Sequence, residues 1–425
     1  MRPILSTLPE MFQERSKLSG LWQSVAVGDR YGESWETNRR YIRRHNEDPK
    51  GTYDLDSTSA MALYLVHAEP SSFATSFIDR PACARSRLSI EEISGLLAKQ
   101  QALCLLKSAL EDIASADVDV ILAVVLLLVG FELIDSGRGN WIFHIHGARI
   151  IIEKLIAFTL ATETALSPLR SWLVSNCLVY DLLGSSFANS YLPHSGWPST
   201  TTMSLLQDAE GNHCSSFPAA LLPLIQTGAQ LLKSNEISTS PDTSTDLEQQ
   251  KAFHLLHAAK SFDPAAWAIN LQPRSPADDL LHRTEIASAH KAAVCVYLSR
   301  IILTLWPGTV LLDDLEMLAA EIIAHLSNMR PGDALFTATA WPAFIAGLET
   351  VDLANRDWVV RRFQELWEME PWGLTREALG ALETIWDGRK NEDAVKSSND
   401  RLHKHEEDWN WIQKLHRMGT DWLIA

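Results

Sequence analysis

Three kinds of residue in this sequence could do chemistry: close histidine pairs, paired carboxylates and cysteines. The histidine pairs are His144 with His146, His254 with His257, and His403 with His405. Residues two apart on a helix point about 200° away from each other, so the first and last pairs cannot chelate one ion if their segments are helical. His254 and His257, three apart, could share a metal, but no third ligand stands at a readable spacing, and they read better as polar positions beside an apolar stripe. Asp278-Asp279 with Glu285, and Asp313-Asp314 with Glu316, are the acid clusters that could hold magnesium for a diphosphate, as a helical enzyme of the terpene-cyclase type requires. Neither completes an aspartate-rich pattern, and paired acids at a helix start answer the helix dipole. The cysteines (Cys83, Cys104, Cys177, Cys214, Cys295) lie far apart, which argues against a disulfide scaffold and against a structural zinc site. No G-x-S-x-G, G-x-G-x-x-G or P-loop occurs. The residues therefore nominate no catalytic group, no metal ligand and no cofactor.

The elements that would position any site are helical. From Val120 to Phe131 no side chain is charged or polar. A helix here is apolar on every face, so it is expected to be enclosed by protein, with Leu127 in mid-core. At 12 residues the run falls short of the roughly 20 that cross a bilayer. Ser115 or Asp117 can cap its start, and Asp135, Ser136, Gly137 and Gly139 form a turn that ends it. A second helix begins near Trp141, with apolar positions at Trp141, Ile145, Ala148, Ile152 and Leu155, and with Gly147 allowing close backbone approach. The pattern predicts a buried helical hairpin around which the rest is organised.

Elsewhere, Met1 to Ser59 is mostly polar and reads as a loosely ordered arm, with a basic knot of Arg39, Arg40, Arg43 and Arg44. The knot could contact phosphate or serve nuclear import, although Glu33, Glu36, Glu47 and Asp48 dilute its field. Residues 60–425 read as one large all-α domain. A helix capped at Ser89 runs through Leu110, Pro168 opens another over Trp172 to Leu183, and Gly184 to His213 reads as a long loop. Leu221 to Leu232 is helical, and from Leu247 helices continue to Trp386, broken at Asp263-Pro264, Gln272-Pro273, Trp306-Pro307-Gly308 and Pro331-Gly332. Gly388 to Glu407 reads as a charged linker before a last helix carrying Trp409, Trp411, Leu415 and Trp422.

The hairpin also carries a resemblance. A buried helix ending in Phe131-Glu132-Leu133, a Gly-rich turn, Trp141, His144 and then Gly147-Ala148-Arg149 is similar to the fungal-specific transcription factor domain, the regulatory region of fungal zinc-cluster regulators. Ala289 to Ile302, Ala338 to Leu366 and Asp408 to Ala425 resemble that family's later helices in the same order. Trp141, His144, Gly147, Arg149, Trp341, Pro342, Gly347, Arg356 and Trp358 look like its recurrent positions, with packing as their implied role. The family's DNA reader needs six closely spaced cysteines sharing two zinc ions, and none of the sequence supplies them; Cys83 alone cannot hold a metal.

With 37 basic against 53 acidic residues the formal charge is −16, which repels phosphate. The resemblance thus implies a pathway-specific transcription regulator, nuclear or shuttling with the cytoplasm. It implies action through DNA-bound transcription factors or co-regulators, with a small-molecule effector as an optional switch, no specific DNA binding of its own and no membrane; self-association stays open. Fifteen tryptophans, several beside proline, mostly mark helix ends packed on a core, while indole also suits an aromatic-lined pocket for an apolar small molecule. A metabolite-binding or scaffold protein without a promoter role, and an all-α enzyme, are the alternatives.

Overall fold

Among the described residues, helices make up the regular structure. The computed structural model describes residues 90–111, 117–162, 165–188, 199–211, 216–237, 245–273, 280–399 and 410–425. Among these residues there is no strand beyond an isolated bridge between Arg138 and Trp422. The N-terminal arm with its basic knot, Cys83, Ser89, Ser115, and the pair His403 and His405 lie outside the described residues.

The chain divides into two compact units, residues 1–124 and 125–425. In the first, α1 (Ile90–Glu111) buries Leu106 and Leu110 and exposes Leu105. Helix α2 (Val118–Asp135) starts at the boundary of this unit, where the Asp117 side chain accepts from the backbone N–H of Asp119 at 3.0 Å, and runs into the second.

The expectation that α2 is enclosed on every face is corrected. Leu122, Val125, Val129 and Leu133 are fully buried, but Val120, Leu127 and Ile134 are exposed, Leu127 by 52%. A helix with apolar residues all round carries no periodic signal, so composition alone cannot say which face turns to the core. The exposed residues recur every seven positions, two helical turns apart, and form one stripe.

In the second unit, caps and prolines set the helix starts. Helix α3 (Trp141–Thr162) follows the glycine turn. Helix α4 (Pro168–Gly184) begins with Ser167 accepting from Arg170 N–H and with proline at its first turn, where no backbone donor is needed. The expected long loop after it contains a helix, α5 (Ser199–Ala209), whose Leu205, Leu206 and Ala209 are buried as it packs on α4. Its opening Ser-Thr-Thr-Thr favours loops by intrinsic preference, and tertiary burial overrides that.

Helices α6 (Leu222–Ile237), α7 (Thr245–Ser261) and α8 (Pro264–Leu271) all pack on α9 (Leu280–Leu305), as do α10 (Leu315–Leu326) and α11 (Ala340–Glu349). Helix α9 is long and apolar enough to cross a membrane, yet most of its apolar window is buried among these neighbours. Asp263 caps α8 and Asp314 caps α10, each accepting two backbone N–H groups. Helix α12 (Leu353–Met369) is capped in the same way by Asp352.

Two further expectations change. Helix α13 (Gly373–Asn399) continues through most of the segment expected to be a linker, because its Lys, Glu and Ala residues are good helix formers and no proline interrupts them. The last helix, α14 (Trp411–Arg417), is shorter than expected: Trp422 lies beyond it in the C-terminal tail, after Gly419 with φ 64° has ended the helix.

Candidate functional site

The family-like residues of the hairpin meet the end of the chain. Gly137 (φ 68°) and Gly139 (φ 74°) adopt left-handed backbone that other residues rarely tolerate, and so let the chain turn from α2 into α3. The turn pairs with the tail: Gly139 N–H donates to Asp421 O at 3.0 Å and Leu423 N–H donates to Gly137 O at 3.0 Å. Trp141, fully buried, donates from Nε1 to the same Asp421 carbonyl at 3.1 Å. Arg138 lies 5.2 Å over the Trp422 ring and pairs with Glu377.

Behind this latch, α3 buries charge. Glu132 of α2 approaches His144 Nε2 at 3.5 Å, both side chains almost fully enclosed. Arg149 pairs with Asp181 of α4, again with both partners buried. Lys233 of α6 donates to Ala188 O at 3.1 Å. Burial pushes the His146 imidazole down to about 4, and the nearby charges of Arg149 and Lys233 push the same way while Asp421 opposes them. His146 is therefore neutral at physiological pH. Gly147 is buried on the same helix.

The second set of family-like residues sits on α11 and α12, which pack on each other. Trp341 meets Phe217 edge-on, ring centroids 5.4 Å apart, with His290 beside both. Pro342 is buried next to it. Gly347 is tightly packed: a Cβ there would lie 2.9 Å from a Leu382 methyl and 3.0 Å from a Val359 methyl, so those side chains would have to shift. Its carbonyl accepts from Trp386 Nε1 at 2.8 Å. Arg356 donates to Thr350 O at 3.2 Å and lies over the Trp386 ring. Trp358 is half-buried, with the Arg362 guanidinium 4.8 Å above its ring.

Several residues that matter as much carry no local sequence signal. Glu349 takes a two-pronged contact from Arg300 and accepts from Trp411 Nε1 at 2.9 Å, fastening α14 to the core. Glu210 accepts from Trp267 Nε1 at 2.7 Å and from Ala219 N–H at 2.9 Å, and its carbonyl takes Arg283. All of these contacts but the one from Ala219 join residues dozens of positions apart, and a buried charge is legible only together with its partner.

The chemistry available among the described residues is sparse. No group of three or more His, Cys, Asp or Glu could hold a metal ion. His254 and His257 are both exposed on α7. Asp313 pairs with Lys260, Asp314 is a cap, and Glu316 accepts from Thr350 Oγ1 at 2.6 Å and Val351 N–H at 2.9 Å, so these acids hold helix ends; Asp278 and Asp279 lie outside the described residues. Burial raises the Cys295 thiol to about 12 and pushes the Cys177 thiol up as well, which leaves both poor nucleophiles.

Comparison with known proteins decides the family. The model of the fungal specific transcription factor domain matches residues 74–425. The chain belongs to that family. It is 32% identical over 347 residues to the acriflavine sensitivity control protein acr-2 of Neurospora crassa, a match covering 78% of this chain and 56% of the relative. The chain thus spans about half the length of that curated relative. No solved structure matches. As a fungal specific transcription factor domain, the chain is a module of transcription regulation, and its helical architecture is the one the resemblance implied.

Proposed function

We propose that this chain is the regulatory helical module of a pathway-specific fungal transcription regulator, working in the nucleus and reaching promoters through DNA-bound partners. The observation that carries this reading is the family match over residues 74–425. The charge of −16 favours a partner over the chain itself as the DNA reader, because phosphate is repelled unless cations gather on one face. The Neurospora relative is named for control of acriflavine sensitivity, and control of a defined cellular response is what we carry to this chain. The family-like residues Trp141, His144, Gly147, Arg149, Trp341, Pro342, Gly347, Arg356 and Trp358 act in this reading as packing and latching groups that keep the module rigid.

The test is chromatin mapping of the tagged protein in its own cells, with and without candidate DNA-binding partners. Occupancy at a small set of promoters that disappears with one partner supports the reading. Absence from chromatin under all conditions, with the protein folded and expressed, leaves a metabolite-binding or scaffold role in its place.

A further inference from the structure

A cleft of about 210 Å³ opens between the end of α10 and the face of α12, and three arginines line it: Arg330, Arg361 and Arg362. In a chain that carries 16 more acidic than basic residues, such a gathering runs against the overall charge. Arg330 and Arg361 are exposed, and among the described residues neither side chain has an ion pair. Glu365 is the carboxylate in the lining, and it approaches Arg362 Nε at 3.3 Å. Asp333 also acts on Arg362 through its charge, but it accepts from Arg330 N–H at 2.6 Å and faces His282 at 3.8 Å.

Arg362 makes this a built site. Its side chain is about 95% enclosed, with Nη2 donating to Leu326 O and Met329 O at 3.0 Å each. The guanidinium lies 4.6 Å from the Phe336 ring centroid and 4.8 Å from that of Trp358. Nη1 is buried and has no hydrogen-bond partner. Leaving a buried charged donor unpaired is costly, and with Nη2 held by the two carbonyls and Nε facing Glu365, Nη1 is the donor left for a carboxylate or phosphate oxygen.

We propose that this cleft binds a small-molecule anion, its carboxylate or phosphate group held by Arg330 and Arg361 beside the buried Arg362, and any planar part resting on Trp358. The ligand bridges α12 to the loop between α10 and α11, so its binding stiffens that part of the module. The volume suits a headgroup with a few carbons, not a folded partner. The site stands whether or not the chain acts at promoters, because it concerns binding by the isolated protein.

The experiment is calorimetric titration of the full chain, at fixed ionic strength, with two probes in separate runs: benzoate and inorganic phosphate. Saturable one-to-one binding of at least one probe is expected. Arg361→Ala and Arg330→Ala, both at exposed positions, should weaken it at least tenfold with an unchanged melting temperature. Glu365→Gln should tighten it, since the competing carboxylate is gone. No saturable heat with either probe, or equal affinity in the wild type and the arginine variants, overturns the proposal. So does Arg361-dependent retention of duplex DNA without any response to the small probes.

Discussion

The six-membered ring of Trp141 occupies the space that a side chain on Gly184 would need: a Cβ there would lie 2.1 Å from Cη2. The start of α3 and the end of α4 are thus matched as ring and void. Gly184→Ala must displace a fully buried indole that also holds the C-terminal tail through Asp421. Overpacking of this kind costs about 1–3 kcal/mol, and here the tail latch is disturbed as well. A lowered melting temperature and faster proteolysis at the C-terminus are expected; a variant as stable as the wild type would mean that the ring and glycine do not meet.

The two faces of α2 make opposite forecasts. Val129→Asp places an unpaired carboxylate at a position with no exposure, at a cost of several kcal/mol against the roughly 5–15 kcal/mol that holds a domain together. Leu127→Asp, only two residues away but half-exposed, should change stability by no more than about 1 kcal/mol. Thermal melts of the two variants check this. Equal and severe loss in both would restore the fully enclosed helix that the sequence predicts.

That contrast shows what the sequence could and could not reveal. Helix starts were legible at Pro168, Asp263-Pro264 and Asp314 because capping is local chemistry within four residues. The facing of α2 was not, because an unbroken apolar run has no period to orient it. Helix α5 was hidden by loop-favouring residues that only tertiary packing overrules. The pairing of Gly137 with Leu423, and of Glu349 with Trp411, joins distant parts of the chain, so each side chain looked ordinary on its own.

Acid should weaken the fold through His146. Its folded-state value of about 4 lies below the ordinary 6.5, so in the window between these values the unfolded chain binds the proton and the folded chain does not. Stability therefore falls as pH drops from about 6.5 toward 4, by up to roughly 3 kcal/mol from this group alone. His146→Gln removes the proton-binding site in both states. Urea melts across that window should show a shallower loss in the variant than in the wild type. Parallel curves would show that His146 is not the group responsible.

Central to the proposed function is the expectation that this module does not find specific DNA by itself. Specific readers place a helix or ribbon against base edges and neutralise several phosphates, whereas this chain is strongly acidic and supplies no zinc-cluster cysteines within its sequence. The basic knot at Arg39, Arg40, Arg43 and Arg44, outside the described residues, is expected at most to contact phosphate, with weak, salt-sensitive, sequence-blind binding as the result. The direct measurement is a binding titration of the purified chain at physiological salt, against duplexes from its own locus and scrambled duplexes of equal length. Weak and equal binding to both is the expected result, and nanomolar binding that prefers the native sequence would contradict the account.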